Sequence, residues 1–172
     1  MIGKNLGVYR IESKLGAGGM GVVYKAYDST LGRAVALKVL TASSIANAER
    51  ERRFVQEAKA ASSLNHPNIV TIYAINSADL DGVQVRYIAM EFIAGETLDH
   101  VIGSKGLRIR DALKYTIQIA DALAAAHSAG IVHRDLKPAN VMIQRLSDGM
   151  ASFPWSTNTS LIPLLLCVRH WS

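Results

Sequence analysis

Cysteine is almost missing from this 172-residue chain: Cys167 is the only one, so no disulfide can close within it. That usage fits a reducing, cytoplasmic compartment. Long apolar runs are missing too. The longest, Leu161 to Val168, is broken by Pro163 and is far short of the ~20 residues a bilayer-crossing helix needs. The first residues, MIGKNLGVYRIESKLG, have neither an apolar core segment nor a small-residue cleavage site, so no signal peptide is expected. No internal repeat occurs. Nor is there a block of like charge. The net charge of +5 is a modest excess, and the densest basic stretch, Arg50 to Arg53, alternates with Glu49 and Glu51. That pattern reads as a salt-bridged helix face rather than a polyanion site, and no nucleic-acid partner is expected. What is present is an ordinary globular composition, 49% hydrophobic, which supports a core and excludes disorder through low hydrophobicity.

Residues 8–15 and 22–28 alternate apolar and polar or are β-branched and aromatic, so they read as strands. Gly16-Ala17-Gly18-Gly19-Met20-Gly21 lies between them, making a hairpin with a glycine-rich tip. Residues 33–40 form a third strand, and 69–75 and 84–93 two more, with Asp81-Gly82 as the turn between the last pair. Phe54, Ala58, Ala61 and Leu64 recur at helical spacing, which predicts a helix over 47–64, ended by Pro67. Further on, 97–104 reads as a short helix and 108–129 as a long one. The long one carries an apolar stripe of Ile109, Ala112, Leu113, Thr116, Ile117, Ala120, Leu123, Ala124 and His127, and Gly130 follows as a stop. After about residue 144 no period of 2 or 3.6 persists.

The glycines Gly16, Gly18 and Gly21 fit G-x-G-x-x-G. A dinucleotide site would need them to open a helix; here a strand pattern, VVYKAYD, follows, so that reading fails on context. A glycine hairpin instead lets backbone N–H groups approach phosphate without Cβ clashes. Lys38, in Val35-Ala36-Leu37-Lys38, sits on the next strand. A lysine in an apolar strand needs an anionic partner or a shifted pKa, and Glu57 on the following helix is a candidate partner. Downstream lies His133-Arg134-Asp135-Leu136-Lys137-Pro138-Ala139-Asn140. Asp135 can accept a hydrogen bond from a hydroxyl, Lys137 can neutralise a phosphoryl group, and Asn140 offers a neutral oxygen to a hard cation such as Mg2+.

Together these segments resemble the eukaryotic-type Ser/Thr protein kinases, the bacterial members most of all. The resemblance runs from Tyr9 to Ile143 through LGAGGMGVVYKA, VALK, FVQEA, NHPNIV, MEFIAGETL and HRDLKPAN. It implies an α+β fold: a five-stranded antiparallel sheet plus one helix as the small lobe (1–93), the first helices and catalytic loop of an incomplete helical large lobe (94–144), and a divergent tail (145–172). It implies ATP and Mg2+ as cofactors and protein Ser/Thr hydroxyls as substrate. By the same resemblance Leu15, Val23, Ala36 and Met142 enclose adenine, and Met90 is the gatekeeper with Glu91 to Ile93 as hinge. Lys38 holds the α- and β-phosphates, anchored by Glu57. Asp135 accepts the proton, with Lys137 and Asn140 beside it, and His133 and Arg134 are structural. The family's D-F-G is expected near Phe153, where the sequence reads ASFPW. A truncated or frame-shifted gene would give such a tail. Very slow phosphate transfer is expected of the chain, with an ATP-binding pseudokinase or interaction module, or a non-functional fragment, as the competing readings.

Overall fold

A computed structural model of the chain describes residues 1–18, 21–40, 48–133, 135–145 and 166–170. Among them, six strands form an antiparallel sheet: β1 (Asn5–Leu6), β2 (Tyr9–Gly18), β3 (Gly21–Asp28), β4 (Arg33–Leu40), β5 (Ile72–Leu80) and β6 (Val83–Glu91). Their order is β1-β2-β3-β4-β6-β5. The five expected strands are all there, and Asn5–Leu6 adds a sixth short one that pairs with the start of β2. The fourth strand begins later than its apolar residues suggest, at Ile72 rather than 69, and runs on through Asn76, Ser77 and Asp79. Pairing with β6 down to Leu80↔Val83 explains the extension: ladder hydrogen bonds do not require apolar side chains. Asp81 and Gly82 close this hairpin with φ of 57° and 81°, the left-handed pair that a two-residue turn between twisted strands demands.

β4 is central and buried from Val35 to Leu40. Its alternation sorts the residues into two environments. Val35, Leu37 and Val39 join Leu6, Ile11, Tyr24, Ala26, Tyr87 and Ala89 in one core. Leu40, on the opposite face with Ala36 and Lys38, packs with Ile88 and with Ala58 of α1 (Ala48–Ser62). At its tip end β3 approaches β4 so closely that a Cβ on Gly21 would run into the Val39 carbonyl. Gly21→Ala is therefore expected to lower stability by about 1–3 kcal/mol through overpacking, read as a lower urea midpoint at unchanged slope.

Beyond Glu91 the chain forms β7 (Gly95–Thr97), α2 (Leu98–Ile102), α3 (Ile109–Ser128), a 3-10 turn (Pro138–Asn140), β8 (Val141–Arg145) and β9 (Leu166–His170). β7, β8 and β9 make a second sheet in that order. Val141 and Ile143 of β8 pack with Tyr115, Ala122 and Ala126 of α3, and with Ala61 and Ile69 from the end of α1 and the segment after it. His66, in that segment, reaches Asp121 on α3 with Nε2···Oδ2 at 3.1 Å, so the first sheet's helix and the second sheet share a core and a polar tie.

Most of the stripe expected on α3 does not face this core; Leu123 is the member that packs against it. Ile109, Leu113 and Ile117 are 80%, 58% and 68% exposed, and Thr116, Ala120, Ala124 and His127 are exposed with them. Asp111, Tyr115, Ala122 and Ala126 are buried instead. The helix carries apolar residues on more than one face, so two faces compete, and β8 covers the one bearing Tyr115. Asp111 is paired there with Arg108, whose Nε donates to Asp111 Oδ2 at 2.6 Å.

Candidate active site

Lys38 is 7% exposed. Removal from water pushes its ammonium down from 10.5 to about 8. Its register neighbours are Val23 on β3 and Ile88 on β6. The α1 helix that carries Glu57 docks through the adjacent Ala58 against Leu40, two residues along β4 from Lys38; the Glu57 side chain itself lies outside the described residues, as do Gly19, Met20 and Arg134.

Four of the residues assigned to adenine and hinge meet in one apolar cluster: Ile93 and Met142 are buried, with Leu15 and Met90 packed against them. Strand alternation explains why Met142 parts company with Val141 and Ile143, which face α3. Ala36 pairs with Met90 across the β4–β6 ladder, and Val23 with Gly16 across β2–β3, so both border the cluster without joining it. Val70 does join it. Sequence reasoning missed that residue, because Val70 looks like any strand residue and only the return of the chain past β6 brings it there. Glu91 is held in place by Thr71, whose N–H donates to Glu91 Oε2 at 3.3 Å while the Glu91 N–H donates to the Thr71 carbonyl at 2.8 Å. Gly18 and Gly21 face each other as the last pair of the hairpin.

The loop entering β8 is organised by its own side chains. The Asp135 N–H donates to the His133 carbonyl at 2.8 Å, and buried His133 places Nδ1 3.3 Å from the same N–H. Asn140 is 0% exposed; its Nδ2 donates to the Asp135 carbonyl at 2.7 Å and to Asp135 Oδ2 at 3.1 Å. Lys137 Nζ lies 3.0 Å from Asp135 Oδ2. The Lys137 hydrogen bond lowers the Asp135 pKa most; burial opposes it, and the Asn140 hydrogen bond and the nearby Lys137 charge add to the lowering. Lys137→Met is therefore expected to raise the Asp135 pKa more than Asn140→Ala does, a difference that carboxyl-carbon NMR titration reads directly.

Asn140 Oδ1 is buried without a hydrogen-bond partner. A buried acceptor left open is costly, and a neutral amide oxygen suits a hard cation. The remaining donors do not complete such a site: among the described residues no three His, Cys, Asp or Glu side chains gather to hold a metal. One carboxylate oxygen of the same loop, Asp135 Oδ2, already serves Lys137 and Asn140. The expected metal-binding position near Phe153 is outside the described residues. The described donors do not by themselves fit Mg2+, which favours carboxylate and phosphate oxygens.

The family model described as "Protein kinase domain" matches residues 9–153. The chain belongs to the protein kinase family. Its relatives are bacterial Ser/Thr kinases. It is 46% identical over 140 residues to a probable serine/threonine-protein kinase, SCO3848, of Streptomyces coelicolor, covering 81% of this chain and 21% of that protein. It is 43% identical over 150 residues to the serine/threonine-protein kinase PrkC of Bacillus subtilis, covering 86% and 22%. The crystal structure of the Mycobacterium tuberculosis PknI kinase domain superimposes with a TM-score of 0.72 at 27% identity, over 98% of this chain and 61% of that one. This kinase chain thus spans about a fifth of the length of those two curated relatives. The family works with ATP, a divalent metal and protein substrates, and among the described residues no helix is long and apolar enough to cross a membrane.

Proposed function

We propose that this chain is the ATP-binding part of a Ser/Thr protein kinase domain. The observation that supports it most is the joining, on consecutive residues of one strand and its entry loop, of an apolar cluster (Met142 with Leu15, Met90 and Ile93) and a polar one (Asp135, Lys137, Asn140). Residues 1–93 act as small lobe, 94–144 as the start of the large lobe, and 145–172 as a tail. Adenine enters between Leu15, Val23, Ala36 and Met142, with Met90 behind it and Glu91 to Ile93 as hinge. The amides of Gly16, Gly18 and Gly21 approach the phosphates, and Lys38, anchored by Glu57, neutralises them.

In transfer, the bond between the β,γ-bridging oxygen and the γ-phosphorus breaks, a new bond forms to a Ser or Thr hydroxyl, and the hydroxyl proton departs towards Asp135. With its pKa held low, Asp135 acts first as a hydrogen-bond acceptor that orients the hydroxyl, and Lys137 offsets charge on the moving phosphoryl group. If Mg2+ binds with the nucleotide, Asn140 Oδ1 would be one oxygen the loop offers it. The compartment consistent with one unpaired cysteine and a need for ATP is the cytoplasm, and no nucleic acid takes part.

A second reading, nucleotide binding without transfer, is favoured by the phenylalanine that stands where the family's metal-binding aspartate is expected. Thermal melting with millimolar ATP, with Mg2+ and with EDTA, tests binding: occupancy at 100 times Kd stabilises by about 2.7 kcal/mol. No shift would remove the ATP reading. Transfer of radiolabelled phosphate to a generic protein substrate separates the two readings, and the expected rate is far below that of complete kinases.

A further inference from the structure

Residues 166–170 lie beyond the family match, which ends at 153, yet they are built into the sheet that carries the catalytic loop. β9 runs parallel to β8 in continuous register, Val141↔Leu166, Met142↔Cys167, Ile143↔Val168, Gln144↔Arg169 and Arg145↔His170, and it lies alongside α3. β8 needs such a neighbour. Val141, Met142 and Ile143 are buried, and β7 pairs with only one edge, through Gly95↔Gln144 to Thr97↔Met142. Buried backbone N–H and C=O groups on the other edge require partners, and an open edge on a buried strand is a pairing liability. Leu166-Cys167-Val168 supplies a short apolar strand of the kind that pairs there.

We infer that the tail strand is an integral edge of the catalytic-loop sheet, and that its docking and nucleotide binding reinforce each other. The second half rests on the ATP reading above. The link is Met142: it is the register partner of Cys167 and also a member of the cluster with Leu15, Met90, Ile93 and Val70. A ligand seated on Met142 favours the state in which β8 is held straight by β9, and by linkage the docked strand favours the ligand to the same degree.

Cys167 is the chain's only thiol, so its reaction with Ellman's reagent reports on β9 alone. In the full chain without nucleotide it is expected to react at least tenfold more slowly than in the urea-unfolded chain. The backbone amides of 166–170 should show matching protection in hydrogen exchange. Val168→Pro, which removes a strand N–H and fixes φ away from the extended value, is expected to bring the rate towards the unfolded one. A native rate equal to the unfolded rate, or unprotected amides at 166–170, overturns the docked strand whatever the variant does. Saturating ATP in EDTA is expected to slow the native reaction at least threefold. A melting shift with ATP but an unchanged thiol rate overturns the coupling. Absence of any melting shift overturns the ATP reading instead, while the nucleotide-free rate still judges the strand.

Discussion

Replacing Lys38 with methionine is expected to abolish the ATP-induced rise in melting temperature and, with it, two opposite pH trends. Lys38 pairs in register with Val23 and Ile88, and burial holds its amine at about 8 when no ligand is present. Phosphate binding favours the ammonium form. ATP affinity is therefore insensitive to this group below pH 8 and falls above it, by up to about tenfold per pH unit until the pKa of the bound state is reached. Without ligand the sign reverses. An unfolded lysine titrates near 10.4, so between about 8 and 10.4 the unfolded chain binds more protons than the folded one, and stability rises with pH across that window. The shift of roughly 2.4 units corresponds to at most about 3 kcal/mol. Methionine keeps the volume and has no proton to lose, so both trends flatten. Isothermal titration with ATP and urea melts across pH 7–10 read the two separately; a Lys38→Met chain that still binds ATP with wild-type affinity removes the assignment of Lys38 to phosphate.

Ile143→Ala is expected to cost about 2–5 kcal/mol, the range for truncating a buried aliphatic side chain in a core that relaxes only partly. Ile143 is fully enclosed between β7, α3 and the end of α1. A loss that size is a large part of a domain's total stability. Its effect reaches the site because Asn140 and Asp135 are held by the same strand's entry turn. The measurement is the urea midpoint together with ATP affinity. Both fall if the strand is the platform for the loop; a fall in midpoint alone would mean the loop holds its own shape through the Asn140 and His133 bonds.

Much of the small sheet was legible because its signals are local. The alternation in YRIESKL, the glycine tip, the Asp81-Gly82 turn and the β-branched run ending in Lys38 each fix their own stretch of backbone through sterics and hydrogen bonding within a few residues. The string from His133 to Asn140 was legible for a similar reason: its bonds run from Asn140 to Asp135 and from Lys137 to Asp135, inside one short loop. Strand ends were less so. Asn76 and Ser77 interrupt the apolar pattern, and the strand carries on through them beside β6.

What the sequence by itself determined, then, was the order of elements, the hairpin, the buried amine's need for a compensating environment and the membership of a kinase-like motif set. All of these depend on neighbours along the chain. Tertiary structure decided which side of α3 is covered, since a helix apolar on two sides carries no instruction choosing between them until β8 arrives on one. It decided that Val70 shares a cluster with Met142, 72 positions away by their numbers. It also decided that Leu166–His170, a stretch without family resemblance, pairs with β8: an edge of unpaired backbone groups selects any strand that can reach it, and reach is a property of the folded chain.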